Sequence, residues 1–122
     1  MKFYRCKKCG HVVYSLNEKS ESLTCCGEEM ILLKAGETDG ALEKHVPTYV
    51  INDAVIEATI GEVIHPMEED HYIEFIAYVV GPEVMIRHLK PGDEPKASFA
   101  YLGNGVIYEY CNKHGLWKKD VI

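Results

Sequence analysis

Val106-Ile107-Tyr108-Glu109-Tyr110-Cys111, followed by Asn112-Lys113-His114-Gly115-Leu116-Trp117, is the stretch on which the reading of this chain turns. Its first half alternates as a strand does. Val106, Tyr108 and Tyr110 would share one face, with Ile107, Glu109 and Cys111 on the other. Its second half breaks that strand. Cys111 and His114 stand three apart, so one tight turn can aim a thiolate and an imidazole at the same point, and Gly115 lets the chain leave with φ above zero. A lone cysteine is usually a small buried hydrophobe, and the neighbouring histidine is what makes Cys111 a candidate metal ligand. Two ligands do not hold a metal, so the remainder must come from elsewhere in the chain.

Upstream of this stretch lie short runs of β-branched and aromatic residues, at Thr48 to Val50, Ala54 to Ile60, Tyr72 to Val80, Val84 to Leu89 and Ala97 to Leu102. Gly81-Pro82, Pro91-Gly92-Asp93 and Gly103-Asn104-Gly105 mark turns between them. No stretch carries a long helical period. The pattern predicts an antiparallel β-sandwich of the immunoglobulin type over residues 37–122.

Three histidines in that region have unusual neighbours: His45 before Val46-Pro47, His65 before Pro66, and His71. His65 and His71 are six apart, about 20 Å on a continuous strand, and reach one ion only if the chain folds back. Pro66 holds His65 extended, and Glu68-Glu69-Asp70 suits the first turn of a short helical loop. An exposed charged connection with histidines facing water is the plainer alternative. His11 and His88 are assigned to no metal. Two familiar metal patterns fail, because Pro66 stands where a facial triad carries its acid and H-E-x-x-H is absent.

Residues 1–36 form a different kind of module. Cys6-Lys7-Lys8-Cys9 is a C-x2-C knuckle, and Cys25-Cys26-Gly27 completes four cysteines after fifteen intervening residues. Four thiolates suit a tetrahedral site for iron or zinc, closed to substrate. Phe3, Tyr4, Val12, Val13, Tyr14, Leu16 and Leu23 offer only a thin apolar shell, so a metal or a partner subunit is needed for stability. Adjacent cysteines cannot repeat the first knuckle, which predicts a distorted side to the tetrahedron. A disulfide-bonded leader is the alternative. The join falls at Lys34 to Gly40, small, polar and rich in glycine.

Composition bounds the function. The chain has 122 residues, 47% of them hydrophobic and 26% charged, as folded domains do. Its longest apolar run, Phe75 to Val80, is too short to span a bilayer, and Met1-Lys2-Phe3-Tyr4 runs straight into Arg5-Cys6 with no leader pattern. A soluble cytoplasmic protein is expected, with no membrane partner. The net charge of −6 weighs against nucleic acid, and an anionic substrate would need a local positive field.

Taken together, Cys6-x2-Cys9-x15-Cys25-Cys26, Asp39-Gly40-Ala41-Leu42-Glu43-Lys44-His45-Val46-Pro47, His65-Pro66-Met67-Glu68-Glu69-Asp70-His71, Leu89-Lys90-Pro91-Gly92-Asp93 and Tyr110-Cys111-Asn112-Lys113-His114-Gly115-Leu116-Trp117 resemble the two-iron superoxide reductases of the desulfoferrodoxin type, with a desulforedoxin-like first module. The blocks run from end to end of the chain. Tyr72 and Phe75 depart from the family, which often has tryptophan there. The resemblance implies two iron ions per chain. One is held equatorially by His45, His65, His71 and His114 with Cys111 axial and the sixth position open; the other is held by Cys6, Cys9, Cys25 and Cys26. It also implies Glu43 and Lys44 as a mobile pair beside the open position, a homodimer, and a rubredoxin-like electron donor.

The implied reaction adds one electron and two protons to superoxide and gives hydrogen peroxide, a detoxification. A ferrous ion with neutral imidazoles and one thiolate keeps a net positive charge, Lys44 adds to it, and both draw an anion toward an acidic protein. Water organised by Lys44 is the expected proton source, and Glu43 is expected to occupy the vacant position after oxidation. The alternatives are a superoxide dismutase and a non-enzymatic electron carrier or zinc-stabilised binding protein with structural histidines.

Overall fold

The computed structural model describes residues 2–17, 19, 22–36 and 42–122, with the side chains at 42 and 43 outside the description. The chain folds as two compact units, Met1–Lys34 and Ala35–Ile122.

In the first unit β1 (Lys2–Arg5) lies between β2 (Val12–Ser15) and β5 (Ile31–Leu32), antiparallel to both. A separate ribbon pairs β3 (Thr24–Cys25) with β4 (Glu28–Glu29). Its two-residue turn has Cys26 at φ 53° and Gly27 at φ 77°, the two left-handed residues that a tight hairpin with the twist of its strands requires. The adjacent cysteines are thereby separated, Cys25 ending a strand and Cys26 standing in the turn. Tyr4, Cys6 and Met30 form the buried centre, with Val13, Leu23 and Cys25 against it. Leu16, expected in this shell, is 87% exposed because β2 ends at Ser15. Phe3 is buried as well, and these few apolar side chains among the described residues are a small core for a unit of this length.

The second unit begins with a single helical turn, α1 (Leu42–His45). Seven strands follow: β6 (Pro47–Asn52), β7 (Val55–Ile60), β8 (Ile73–Val80), β9 (Glu83–His88), β10 (Lys96–Ala100), β11 (Gly105–Cys111) and β12 (Gly115–Val121). They form two antiparallel sheets, ordered β10-β7-β6 and β12-β11-β8-β9, an immunoglobulin-like sandwich. Alternation decides the core. Ile56, Ala58, Ile60 and Ala97 of one sheet meet Ile73, Ile76, Tyr78, Ile107, Cys111 and Val121 of the other. The Tyr78 hydroxyl donates to Gly103 O and accepts from the Leu102 amide, tying the β10–β11 turn to the core.

The sequence reading ends the strands at Cys111, and the structure adds β12. Lys118-Lys119-Asp120 hides its alternation, and its place is secured by an unbroken register from Gly105↔Val121 to Cys111↔Gly115. The pairing of β11 with β8 is less regular: Tyr110 faces Phe75 but Cys111 faces Ile73, a bulge at the very end of the strand. Among the described residues no helix is long and apolar enough to cross a membrane.

Close strand approach depends on Gly105, where an added Cβ would stand 2.1 Å from Val79 O and 2.9 Å from Val80 Cγ2. The backbone oxygen cannot rotate away, so Gly105→Ala should push β11 from β8 at about 1–3 kcal/mol. The expected result is a thermal midpoint lower by roughly 5 °C or more, read by calorimetry; an unchanged midpoint would show that the strands have room to spare.

Candidate metal centres

All four cysteines of the first unit are free thiols, and their sulfur atoms lie within 4.8 Å of one another. The Cys9–Cys25 and Cys25–Cys26 sulfurs are 3.7 and 3.8 Å apart. A disulfide needs about 2.05 Å, whereas four sulfurs at ~2.3 Å from one tetrahedral ion stand about 3.8 Å apart. The spacing fits a metal and not a disulfide. Backbone amides contribute as well: the Cys9 amide is the main reason the Cys6 thiol is lowered to about 7, while Cys25, sharing hydrogen bonds with Cys6 and Cys9, is pushed up to about 12. The four thiols are thus unequal in their hydrogen bonding, and a cation shared among them would bind all four as thiolates.

In the second unit four imidazoles close a ring. Their centroids are 4.7 Å apart for His45–His65, 4.9 Å for His65–His71, 5.0 Å for His71–His114 and 4.8 Å for His114–His45. Imidazoles set square around one ion at ~2.1 Å would have neighbouring centroids about 4.6 Å apart. Cys111 completes the group from the end of β11, its sulfur 3.8 Å from His114 Nδ1. His45, His65, Cys111 and His114 place one donor atom each within 4.8 Å of all the others; His71 stands outside that tightest set but in ring contact with both neighbours.

Each member arrives by a different local device. His45 ends the helical turn α1, and Pro47 starts the next strand. His65 and His71 come from a loop that folds back, as their spacing demands, but through a tight hairpin and not a helical turn. Glu68 and His71 exchange both backbone hydrogen bonds, at 2.9 and 3.1 Å, around Glu69-Asp70. The Met67 sulfur accepts from the Ile73 amide at 3.4 Å and its carbonyl from Gly92, anchoring the loop to the core and to the turn at Pro91-Gly92. His114 sits in the turn between β11 and β12.

The ring nitrogens show what the site lacks. His65 Nδ1 lies 2.6 Å from Pro66 O, so that nitrogen carries the proton and Nε2 keeps its lone pair. His65 Nε2, His71 Nε2 and His45 Nδ1 are buried without a hydrogen-bond partner among the described residues. Burial, then the mutual proximity of the rings, lowers His45 to about 4; burial first also lowers His65 and His71. Burial raises Cys111. Neutral imidazoles with unsatisfied lone pairs beside a sulfur are a first-row metal's donor set.

Two residues outside the expected set shape this centre. Trp117 stacks on His45, with centroids 5.1 Å apart and planes 14° off parallel, and its indole N–H donates to His114 O at 3.0 Å. Glu109 is fully buried with its carboxyl 3.6 Å from His45 Nδ1. Burial drives Glu109 up and His45 down, which disfavours an ion pair between them. The sequence signal for Glu109 is an acid on the inward face of a strand, between Ile107 and Cys111. Lys44 is exposed beside the ring and bears electrostatically on His45 and His65. The side chain of Glu43 lies outside the described residues. His11 and His88 are exposed and join neither group.

Residues 1–33 match the family model described as "Desulfoferrodoxin, N-terminal domain", and residues 37–120 match "Desulfoferrodoxin". A desulfoferrodoxin from Nitratidesulfovibrio vulgaris is 45% identical over 118 residues, covering 96% of this chain and 94% of that protein. A superoxide reductase from Thermococcus kodakarensis is 33% identical over 109 residues, 73% of this chain and 93% of that one. The crystal structure of the superoxide reductase from Treponema pallidum superposes with a TM-score of 0.81 over 97% of this chain and 95% of that chain, at 24% identity, a likeness of fold. With both modules matched in order and the relatives spanning nearly the whole chain, this protein belongs to the desulfoferrodoxin family.

Proposed function

We propose that this chain is a superoxide reductase, reducing superoxide to hydrogen peroxide at iron held by His45, His65, His71, His114 and Cys111. The observation that carries the reading is the closed ring of four imidazoles, with His65 Nε2 and His71 Nε2 buried and unpartnered, beside the Cys111 sulfur. The superoxide reductases among its relatives support it. A second iron on Cys6, Cys9, Cys25 and Cys26 is closed by four thiolates and suits electron storage or relay. Residues 1–36 and 37–122 are the two functional modules in this reading.

Bound ferrous iron would supply the electron and an open coordination position. The protein supplies the rest. Burial keeps His45, His65 and His71 neutral, so the site's positive charge is offset by Cys111 alone among its ligands. Trp117 and Glu109 fix the His45 ring from its face and its Nδ1 edge. His71 and His114 are half-exposed while His45, His65 and Cys111 are buried, so access is from the side of those two rings. Lys44, exposed and near His45 and His65, draws the anion in and orders water as the proton donor. Glu43, one residue before it, assists departure of the product. Electrons come from a rubredoxin-like donor. The protein works as a homodimer in the cytoplasm, where a reducing milieu keeps its thiols available to metal.

The decisive measurement is product stoichiometry. Reduced protein given a pulse of superoxide should form one peroxide per superoxide, release no oxygen, and stop when the reductant is withdrawn; oxygen release with sustained turnover would mean dismutation, and a centre containing only zinc would end the redox proposal. Lys44→Ala should lower the second-order rate constant for superoxide roughly tenfold at low salt and flatten its ionic-strength dependence, since what is lost is a screened surface field. For Glu43→Ala the association rate should stay as it is and peroxide release should slow, as read by stopped-flow absorption of the oxidised centre; release at the original rate would remove Glu43 from the mechanism.

A further inference from the structure

Asn112 follows Cys111 and belongs to none of the expected sites, yet it makes three hydrogen bonds to one short segment. Its side-chain Oδ1 accepts from the Tyr72 amide at 2.9 Å, its Nδ2 donates to the Asp70 carbonyl at 3.0 Å, and its own amide donates to the Tyr72 carbonyl at 3.2 Å. Asp70 and Tyr72 are the two neighbours of His71. The backbone groups of His71 itself are taken by Glu68. Both peptide groups flanking this histidine are therefore engaged at each end; the Asn112 side chain reaches them from a distant part of the chain, while its backbone amide holds the next peptide along.

The geometry points to Asn112 as a positioning residue: it brackets His71 and locks the histidine loop to the Cys111–His114 turn, so that two ligand segments about 40 residues apart in the chain move as one. The inference rests on reading the imidazoles and Cys111 as metal ligands. The ladder between β8 and β11 slips at Tyr110/Cys111, and beyond the Cys111↔Ile73 pair the Asn112 amide to Tyr72 carbonyl bond is its last backbone rung. Beyond that rung the Asn112 side chain takes over, an amide being the one neutral group that offers an acceptor and a donor with the spacing of a peptide. His71 is the imidazole outside the tightest donor set, so its approach to the ring is the one most open to adjustment. Of the two half-exposed rings, His71 and His114, it alone stands outside that set. Both side-chain bonds have ordinary lengths for an amide paired with a peptide group.

The test uses the iron-loaded full-length chain. In Asn112→Ala, iron should leave the histidine site for a ferrous chelator roughly ten- to a hundredfold faster, the Tyr72 amide should exchange faster with deuterium, and the absorption of the four-cysteine iron should persist as an internal control. Asn112→Asp, which keeps the acceptor for Tyr72 but loses the donor for Asp70, should fall between. If Asn112 acts through His71, then in a His71→Ala background Asn112→Ala adds no further loss, so the double-mutant cycle is strongly non-additive. Additive effects, or unchanged iron loss in Asn112→Ala, would overturn the clamp while leaving the site intact. A wild-type chain that takes up no iron at its histidines would overturn the ligand reading, and the inference with it.

Discussion

Buried nitrogen that no protein group satisfies is the constraint on which the second unit is built. An unpartnered polar atom in a protein interior costs about 1–3 kcal/mol, and the histidine ring beside Cys111 carries two such nitrogens, His65 Nε2 and His71 Nε2, while a third, His45 Nδ1, faces the equally unpartnered carboxyl of Glu109. Folding alone gives no return for that arrangement. Imidazoles could have faced water, as His11 and His88 do, and the sandwich core of Ile56, Ile76, Tyr78 and Ile107 closes without them. A cation at the centre of the ring would turn the unsatisfied lone pairs of His65 and His71 into bonds, so the site is coherent as a metal centre. The four-cysteine group states the same principle in a smaller frame, where the described apolar centre is Phe3, Tyr4, Cys6 and Met30, a small core for the unit.

Given that constraint, the sandwich serves chiefly as a rigid end-piece. Strand β11 carries Glu109 and Cys111 inward, β12 returns Trp117 beside Glu109 in direct register, and the helical turn α1 brings His45 against both Trp117 and Glu109. The β11 and β12 contributions come from regular strands, where pairing fixes side-chain direction. His65 and His71 come from the loop between β7 and β8, which has only a two-residue hairpin and borrowed hydrogen bonds to hold it. The centre therefore has a stiff half and a half whose stiffness must be supplied by side chains.

That division also explains what is legible in the sequence. The cysteine spacing, the alternation of the strands and the residues of the ligand ring can be read because each depends on residue type at a short or periodic interval, or on a run of such blocks in order. The hairpin at Glu68–His71 cannot, since three acidic residues after a proline fit a helical first turn as well as a tight reversal, and only the pairing of backbone groups distinguishes them. Strand β12 is hidden because an exposed edge strand need not alternate: Lys118-Lys119-Asp120 is polar throughout and is held by its partner's register. The conformation of Cys26 is hidden for a related reason. Nothing local says that a non-glycine residue will take φ 53°, and it does so because Gly27 completes the turn and the four sulfurs must converge. Trp117 and Glu109 acquire their roles only when β12 lies against β11.

An anionic substrate poses a final problem for a chain of net charge −6. Bulk charge is a weak guide at this range, because exposed charges beyond about 8–10 Å are largely screened at physiological salt. Local arrangement decides instead. The acid deepest in the site, Glu109, is driven toward its neutral form by burial and so leaves little negative charge behind His45. Lysines are near the ring: Lys44 bears on His45 and His65, and Lys113 on His71. Asp70 and Glu68 act on His71 in the opposite sense. In the proposed reaction the anion is drawn across the ring toward Lys44, the residue also proposed to order the proton-donating water, so that attraction and protonation share one side chain.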